Sequence, residues 1–421
     1  MEPKVPKAEI FKAYDIRGIY GEDMDGDTAE ALGRGFTRVI GRLSGKDTAD
    51  LRLGLGRDMR LTAPEMAARF RDGMTGEGAE VLDAGMVGTE MLYFLVGSEG
   101  LDGGAMVTAS HNPKAYTGVK LVREGALALS GDEGIQDVRA QIEMGLGEAP
   151  GGGSASDVDV TQAFRERAMS FIDPSAVSGL RVVLDGGNGM AGPMAGPLLE
   201  QLDVELIPTY WEPDGNFPDH EPNPLLPENR AFIERRVREE GADLGIAWDG
   251  DADRCFFIDD MGNFVDGDFL TALLARQLLA KEPGATILYD VRASRAVPDT
   301  VADLGGLSHV NRVGHAFFKT RMREVRAAFG GEVSGHYYFR DFYCADSGTL
   351  PALLILELLS KEGRPLSELI GEFRKRYFIS GEINSEVADQ AAKMAELAER
   401  FDDAEISRLD GISFDLSLIH I

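Results

Sequence analysis

The strongest constraint on the fold is an alternation of short apolar runs with amphipathic stretches that recurs down the chain. LRLGLG (51–56) reads as a buried strand. TAPEMAARFRDGMTGEG follows as a helix with Thr62 as N-cap and Pro64 in its first turn, and VLDAGMVGT as the next strand with a Gly-rich loop. Strand, helix, strand is a βαβ unit, which implies a mixed or parallel sheet covered by helices. The pattern returns at LRVVLDGGNGMAG (180–192), completed by the helix RAFIERRVREEG and the strand ADLGIAWDG. It returns again after 258, in FLTALLARQLLAKE, TILYDV and ASRAVPDTVADLG, and closes with PALLILELLSKEGRPLSELIGEFRKRY. Three α/β units of roughly 100 residues thus follow one another without a clean sequence repeat. GLGEAPGGGSASD (145–157) is the clearest linker. Beyond 380 the helix AAKMAELAERF and DGISFDL open a smaller α+β unit that stops after about 40 residues, short for a core of its own. The expected division is 1–150, 157–257, 258–370 and 371–421.

Composition narrows the function class. Forty-three basic residues against 71 acidic ones give a net charge of −28. Nucleic acid and anionic membranes are poor partners for such a surface, because both need a basic one. An anionic substrate would require a pocket that is basic against the overall field. The N-terminal MEPKVPKAEIFKAYDIRG carries no apolar signal core, and LPALLILELL (350–359), interrupted by Glu357, falls short of a membrane span. A cytoplasmic location is expected. Cys255 and Cys344, without a C-x-x-C pair, suggest two structural thiols rather than a disulfide or a zinc site.

Two short motifs carry most of the chemistry. VTASHNP (107–113) places Ser110 before an Asn-Pro turn, with no G-x-S-x-G elbow around it. DGDADR (249–254) lies between the apolar runs LGIAW and CFFI, so it is a tight loop at strand ends. Its carboxylates, Asp249, Asp251 and Asp253, alternate with residues too small to obstruct them and can converge on one hard cation such as Mg²⁺. An EF-hand fits poorly, since that loop needs Gly where Arg254 stands and Glu where Asp260 falls. A phosphate on Ser110 would add an anionic oxygen to the metal shell. Phosphoryl transfer would then need positioning and charge stabilisation rather than a triad.

A third cluster, GEVSGHYYFRD (331–341), puts Glu332, Ser334 and His336 on one face if the segment is extended, a set suited to the vicinal hydroxyls of a sugar. Around these motifs the chain supplies Tyr14 and Arg17 flanking Asp15, Arg57 and Arg60 in GRDMR, Lys120, Arg292, His315 and Lys319. They are candidate cations and polar contacts for an anionic pocket.

Taken in order, FKAYDIRG, GRDMR, TASHNP, DGDADR and GEVSGHYYFRD closely resemble the α-D-phosphohexomutase superfamily, in particular its bacterial phosphomannomutase/phosphoglucomutase branch, from about residue 8 to about 415. The resemblance implies an α/β fold: three related domains with mixed sheets around a central cleft, and a smaller C-terminal α+β domain that is incomplete here. It implies that Ser110 is the phosphorylated nucleophile and that Asp249, Asp251 and Asp253 hold Mg²⁺ with its phosphate. Glu332, Ser334 and His336 would contact the sugar, and Tyr14, Arg17, Lys120, Arg254, Arg292 and His315 would line the cleft. Lys120 and His336 would give acid/base help, with His111 orienting the nucleophile.

The implied activity interconverts mannose 6-phosphate and mannose 1-phosphate, with glucose phosphates as further candidate substrates, through a hexose 1,6-bisphosphate, in a monomer or homodimer. Alternatives are phosphoglucosamine mutase, a metal-dependent sugar-phosphate phosphatase and a non-catalytic phosphosugar-binding remnant. One departure stands out. The family's phosphate-gripping R-x-S-x-T-E-P loop has no counterpart here. The run LDGISFDL continues into SLIHI, so a truncated last domain is expected.

Overall fold

The computed structural model describes residues 6–131, 134–381, 383 and 385–416. The first sheet runs, edge to edge, Ile16–Ile19, Tyr116–Arg123, Gly103–Val107, Arg52–Arg57, Glu80–Met86 and Ser154–Asp157. Its last four strands are parallel, and Tyr116–Arg123 is antiparallel to both its neighbours. The second orders Cys255–Asp259, Leu244–Trp248, Ser178–Asp185 and Asp203–Thr209. The third orders Leu307–Asn311, Thr286–Asp290, Phe329–Gly331, Tyr337–Phe339 and Ala345–Asp346.

The recurrence hidden in the sequence is a topological one. In each sheet a strand parallel to its inner neighbour turns back through a loop into an antiparallel partner: Gly103–Val107 into Tyr116–Arg123, Leu244–Trp248 into Cys255–Asp259, Phe329–Gly331 into Tyr337–Phe339. Those three loops hold TASHNP, DGDADR and GEVSGH. Each therefore sits at the carboxyl end of a parallel strand, the usual ligand side of an open α/β sheet. The tips meet: Arg254 and His336 form an isolated antiparallel bridge, and the Cys255 amide donates to the Gly335 carbonyl at 3.1 Å.

The apolar run 350–359 is an internal helix, Thr349–Glu362, buried from Thr349 to Leu359 and packed against Ala191–Leu199 and Gly267–Lys281. Glu357 survives there because Lys361 (2.7 Å), Gln277 (3.0 Å) and the Asp173 amide (2.9 Å) all donate to it. No helix among the described residues is long and apolar enough to cross a membrane.

Several local expectations differ from the structure. Thr62 precedes the helix Ala63–Gly76 in helical φ/ψ and makes no capping hydrogen bond, so that helix starts on Pro64 rather than on a side-chain cap. The tail of the linker is the edge strand Ser154–Asp157, which takes up the free backbone groups of Glu80–Asp83. The expected boundary at 257/258 would cut the strand Cys255–Asp259, and that at 370/371 the helix Leu366–Arg374. Hydrogen bonding and burial keep each of those elements whole. At the C-terminal end the helix Gln390–Arg400 buries no residue, and Glu405–Ser407 pairs with Ser413–Asp415. SLIHI lies outside the described residues.

Candidate active site

Ser110 occupies a strained position. Its φ is +49°, in the left-handed region that a serine rarely adopts. Local bonds hold it there: its amide donates to Thr108 Oγ1 at 2.8 Å, and Asn112 Nδ2 donates to the Ala109 carbonyl at 2.8 Å. The larger restraint is Arg60. Its guanidinium donates to the carbonyls of Ser110 (2.7 Å), Asn112 (2.6 Å), Pro113 (3.1 Å) and Tyr116 (3.2 Å). Arg60 is therefore not a cation free for an anionic substrate. It is buried, faces Asp58 at 3.4 Å without hydrogen-bond geometry, and is roofed by the Phe217 ring at 5.2 Å. Arg57 likewise turns to backbone, reaching the Asp58 carbonyl at 3.4 Å.

From that loop Ser110 Oγ reaches Asp249 Oδ2 at 2.8 Å, a contact spanning 139 residues of sequence, and His111 Nδ1 at 3.1 Å. The approach requires glycine at 250: a Cβ there would lie 2.6 Å from the Ser110 carbonyl oxygen and 3.2 Å from Pro222 Cγ. Asp249, Asp251 and Asp253 are buried, and one ligand atom from each falls within 4.8 Å of the others. Lys120 bridges two of them, at 2.7 Å to Asp251 Oδ2 and in a closer contact to Asp253 Oδ2. Arg254 Nε meets Asp249 Oδ2 at 2.9 Å. The Thr89 hydroxyl donates to Asp251, and its amide donates to the Asp251 carbonyl at 3.1 Å.

Burial pushes the Asp249 and Asp253 carboxyls up. At Asp251 burial acts in the same sense, but Lys120, Thr89 and Arg254 outweigh it and hold that carboxyl low. Asp251 Oδ1 and Asp253 Oδ1 are buried and accept no hydrogen bond among the described residues. Three sealed carboxylates with two unused oxygens form a donor set suited to a hard divalent cation. The residues present fit such an ion.

The sugar-loop candidates come together, but not as an extended strand. Residues 332–336 form a turn closed by Gly335 N to the Glu332 carbonyl (3.0 Å) and Glu332 N to the His336 carbonyl (2.9 Å). A turn brings the three side chains into contact where a strand would only align them: Ser334 Oγ lies 3.0 Å from His336 Nδ1, which is 3.7 Å from Glu332 Oε2. His336 Nε2 faces Asp253 Oδ1 at 3.8 Å and so joins this loop to the acidic one. Burial, followed by the Arg254 charge, pushes His336 well below the usual imidazole range, and burial lowers His111 to about 2.

The remaining candidates ring this centre. His315 is buried between the rings of Tyr14 (5.2 Å) and His336 (6.1 Å). Arg17 pairs with Asp15 at 3.0 Å and Arg292 with Asp290 at 2.8 Å. Lys319 is taken up by Asp346, at 2.8 Å in a pair sealed from solvent whose angles fall outside hydrogen-bond geometry, and Asp346 itself lies beside Asp253 and His336. Sequence reasoning missed Thr89, which only folding carries to Asp251, and left the target of Arg60 open, since its motif showed a cation but not its partners.

Models of the three α/β/α domains of phosphoglucomutase/phosphomannomutase match the chain in order: domain I at residues 8–145, domain II at 161–262 and domain III at 266–377. A protein described as phosphohexose mutases from Xanthomonas campestris pv. campestris is 42% identical over 409 residues, covering 96% of this chain and 89% of its own length. The phosphomannomutase of Salmonella typhimurium is 41% identical over 422 residues, 98% of this chain and 91% of that protein. Among solved structures, a phosphoglucomutase/phosphomannomutase family protein from Burkholderia thailandensis superposes with a TM-score of 0.87 at 33% identity, covering 97% of this chain and 89% of that one.

Proposed function

The chain belongs to the phosphoglucomutase/phosphomannomutase family of phosphohexose-mutase isomerases, and from that premise we propose how its residues divide the work. Ser110 carries the phosphoryl group. The observation that supports this most directly is the 2.8 Å approach of its Oγ to Asp249, in a loop pinned from behind by Arg60. Asp249, Asp251 and Asp253, with an oxygen of the Ser110 phosphate, would hold Mg²⁺, which supplies Lewis-acid withdrawal of charge from phosphorus.

In the first transfer the free hydroxyl of a hexose monophosphate attacks the phosphorus. The Ser110 Oγ–P bond breaks, a sugar O–P bond forms, and the hydroxyl proton leaves to a basic group of the cleft while Oγ regains one. Lys120 and His336 both reach the acidic cluster and can carry that proton. Arg254 and Arg17 offset charge on phosphate oxygens. The hexose 1,6-bisphosphate then reverses in the cleft and returns its other phosphate to Ser110, so mannose 6-phosphate and mannose 1-phosphate interconvert. Glu332, Ser334 and His336 grip the sugar hydroxyls in both orientations. Enclosure of the centre, where Asp249 and Asp251 are fully buried, keeps water from competing for the phosphoryl group.

The test is Ser110→Ala in a coupled assay with mannose 6-phosphate, run beside glucose and glucosamine 6-phosphates and a phosphate-release assay. Turnover should fall to background while the thermal midpoint holds. Mutase turnover at the parent rate overturns the assignment, and phosphate release without isomerisation in the parent identifies a phosphatase instead.

A further inference from the structure

Tyr338 divides its ring from its hydroxyl. The ring is fully buried in the core of the third unit, stacked on Phe318 at 4.9 Å and 20° and clustered with Leu288 and Met322. Phenylalanine would fill that space equally well. The hydroxyl reaches beyond that cluster and donates to Glu332 Oε2. From the other side the Gly314 amide donates to Glu332 Oε1 at 2.8 Å. That amide is fixed by its backbone, since Gly314 has φ +124° and caps the helix His315–Val325. Each carboxylate oxygen receives one rigid donor, and about half of the roughly four lone-pair sites of the group remain open.

We propose that Tyr338 is a positioning residue for sugar recognition: its hydroxyl, with the Gly314 amide, locks the Glu332 carboxylate in one plane as a two-oxygen acceptor for neighbouring hydroxyls of a hexose phosphate. This rests on the sugar-binding reading of Glu332 above. A buried tyrosine places its hydroxyl against a partner when the site needs one, because an unpaired hydroxyl in a core is costly. The charge on Glu332 depends on the same bond. Burial pushes its carboxyl up to about 7, and the Tyr338 hydrogen bond opposes that rise.

The other groups facing Glu332 act in both directions. Asp290 raises its carboxyl further, while the Gly314 amide and Arg292 lower it. Tyr14 and His336, the latter with Nδ1 at 3.7 Å, complete the surroundings. Without the Tyr338 hydroxyl, Glu332 protonates at higher pH, and a protonated carboxyl loses acceptor capacity.

Tyr338→Phe tests this, beside Glu332→Gln, in the whole chain. Calorimetric titration with mannose 6-phosphate between about pH 6 and pH 9 gives the dissociation constant, with inorganic phosphate as control ligand and a thermal melt for each variant. At about pH 7, Tyr338→Phe should weaken the sugar phosphate about tenfold, the scale of one hydrogen bond to a charged group. The acid-side loss of affinity should begin at higher pH than in the parent, with phosphate affinity and the melt unchanged. Parent-like affinity and pH dependence in Tyr338→Phe, with affinity lost in Glu332→Gln, overturns the role of Tyr338 and leaves the sugar-loop reading standing. Unchanged affinity in Glu332→Gln overturns both. Equal weakening of sugar phosphate and inorganic phosphate, or a lowered melt with an unshifted pH profile, makes the hydroxyl merely structural.

Discussion

Replacing Arg60 by methionine tests whether the serine loop is held by force. The guanidinium is 2% exposed and makes four hydrogen bonds to carbonyls of residues 110–116. Its loss strands Asp58, which is 0% exposed and, among the described residues, keeps its bonds from the Arg60 amide and the Thr108 side chain. Removing one partner of a buried charged pair costs about 3–5 kcal/mol. Some of the loop carbonyls can regain water, so the four bonds do not add in full to that figure. The left-handed φ of Ser110 itself stores on the order of 1–3 kcal/mol, which the clamp opposes. Once released, the loop relaxes and Oγ leaves its place beside Asp249. A displacement of about 1 Å is worth roughly a hundredfold in rate.

Arg60→Met should therefore lose about 3–5 kcal/mol in a urea titration, and mutase turnover should fall at least about a hundredfold. Asp58→Asn in the same chain should restore part of the stability, by removing the stranded charge, but not the turnover. A stability loss below about 1 kcal/mol with turnover intact would refute the clamp, placing Arg60 at the level of an exposed ion pair.

Two further outcomes follow from buried groups. Glu90 is fully buried, accepts from the Ser347 and Thr349 hydroxyls, and is pushed by burial up to about 8. The folded chain thus binds a proton more tightly than the unfolded one. The resulting stabilisation is complete below about pH 4.5, falls as pH rises, and levels off above about 8, a change on the order of 5 kcal/mol. Glu90→Gln should flatten that part of the stability–pH curve measured by urea titration, and an unaltered slope would remove Glu90 as its source. Gly250→Ala places a Cβ 2.6 Å from the Ser110 carbonyl oxygen, a backbone atom held by Arg60. It should lower turnover about a hundredfold in the coupled assay, whereas parent-like kinetics would mean that the two loops need not touch so closely.

The βαβ units, the acidic loop and the candidate serine were legible in the chain alone, because these depend on local pattern. A buried strand reads as an apolar run, and three aspartates at alternate positions between two strands repel one another unless a cation or its substitute joins them. It also showed most of the cleft residues as types, Lys120, Arg254 and His336 among them. It could not show partners. Arg60 and Arg17 look alike as cations in short motifs, yet one is sealed among carbonyls of the serine loop and the other pairs with Asp15 at the cleft.

That the three hairpin tips converge was settled by folding alone, because their meeting depends on the order of strands in three separate sheets. The same convergence turned Glu332, Ser334 and His336 from an imagined strand face into a closed turn, and brought Thr89 to Asp251. It also gave the Tyr338 hydroxyl a carboxylate to hold. Spacing along the chain carries chemistry within about one turn or strand. Contacts such as Ser110 to Asp249, 139 residues apart, are fixed only when loop closure and core packing bring distant segments together.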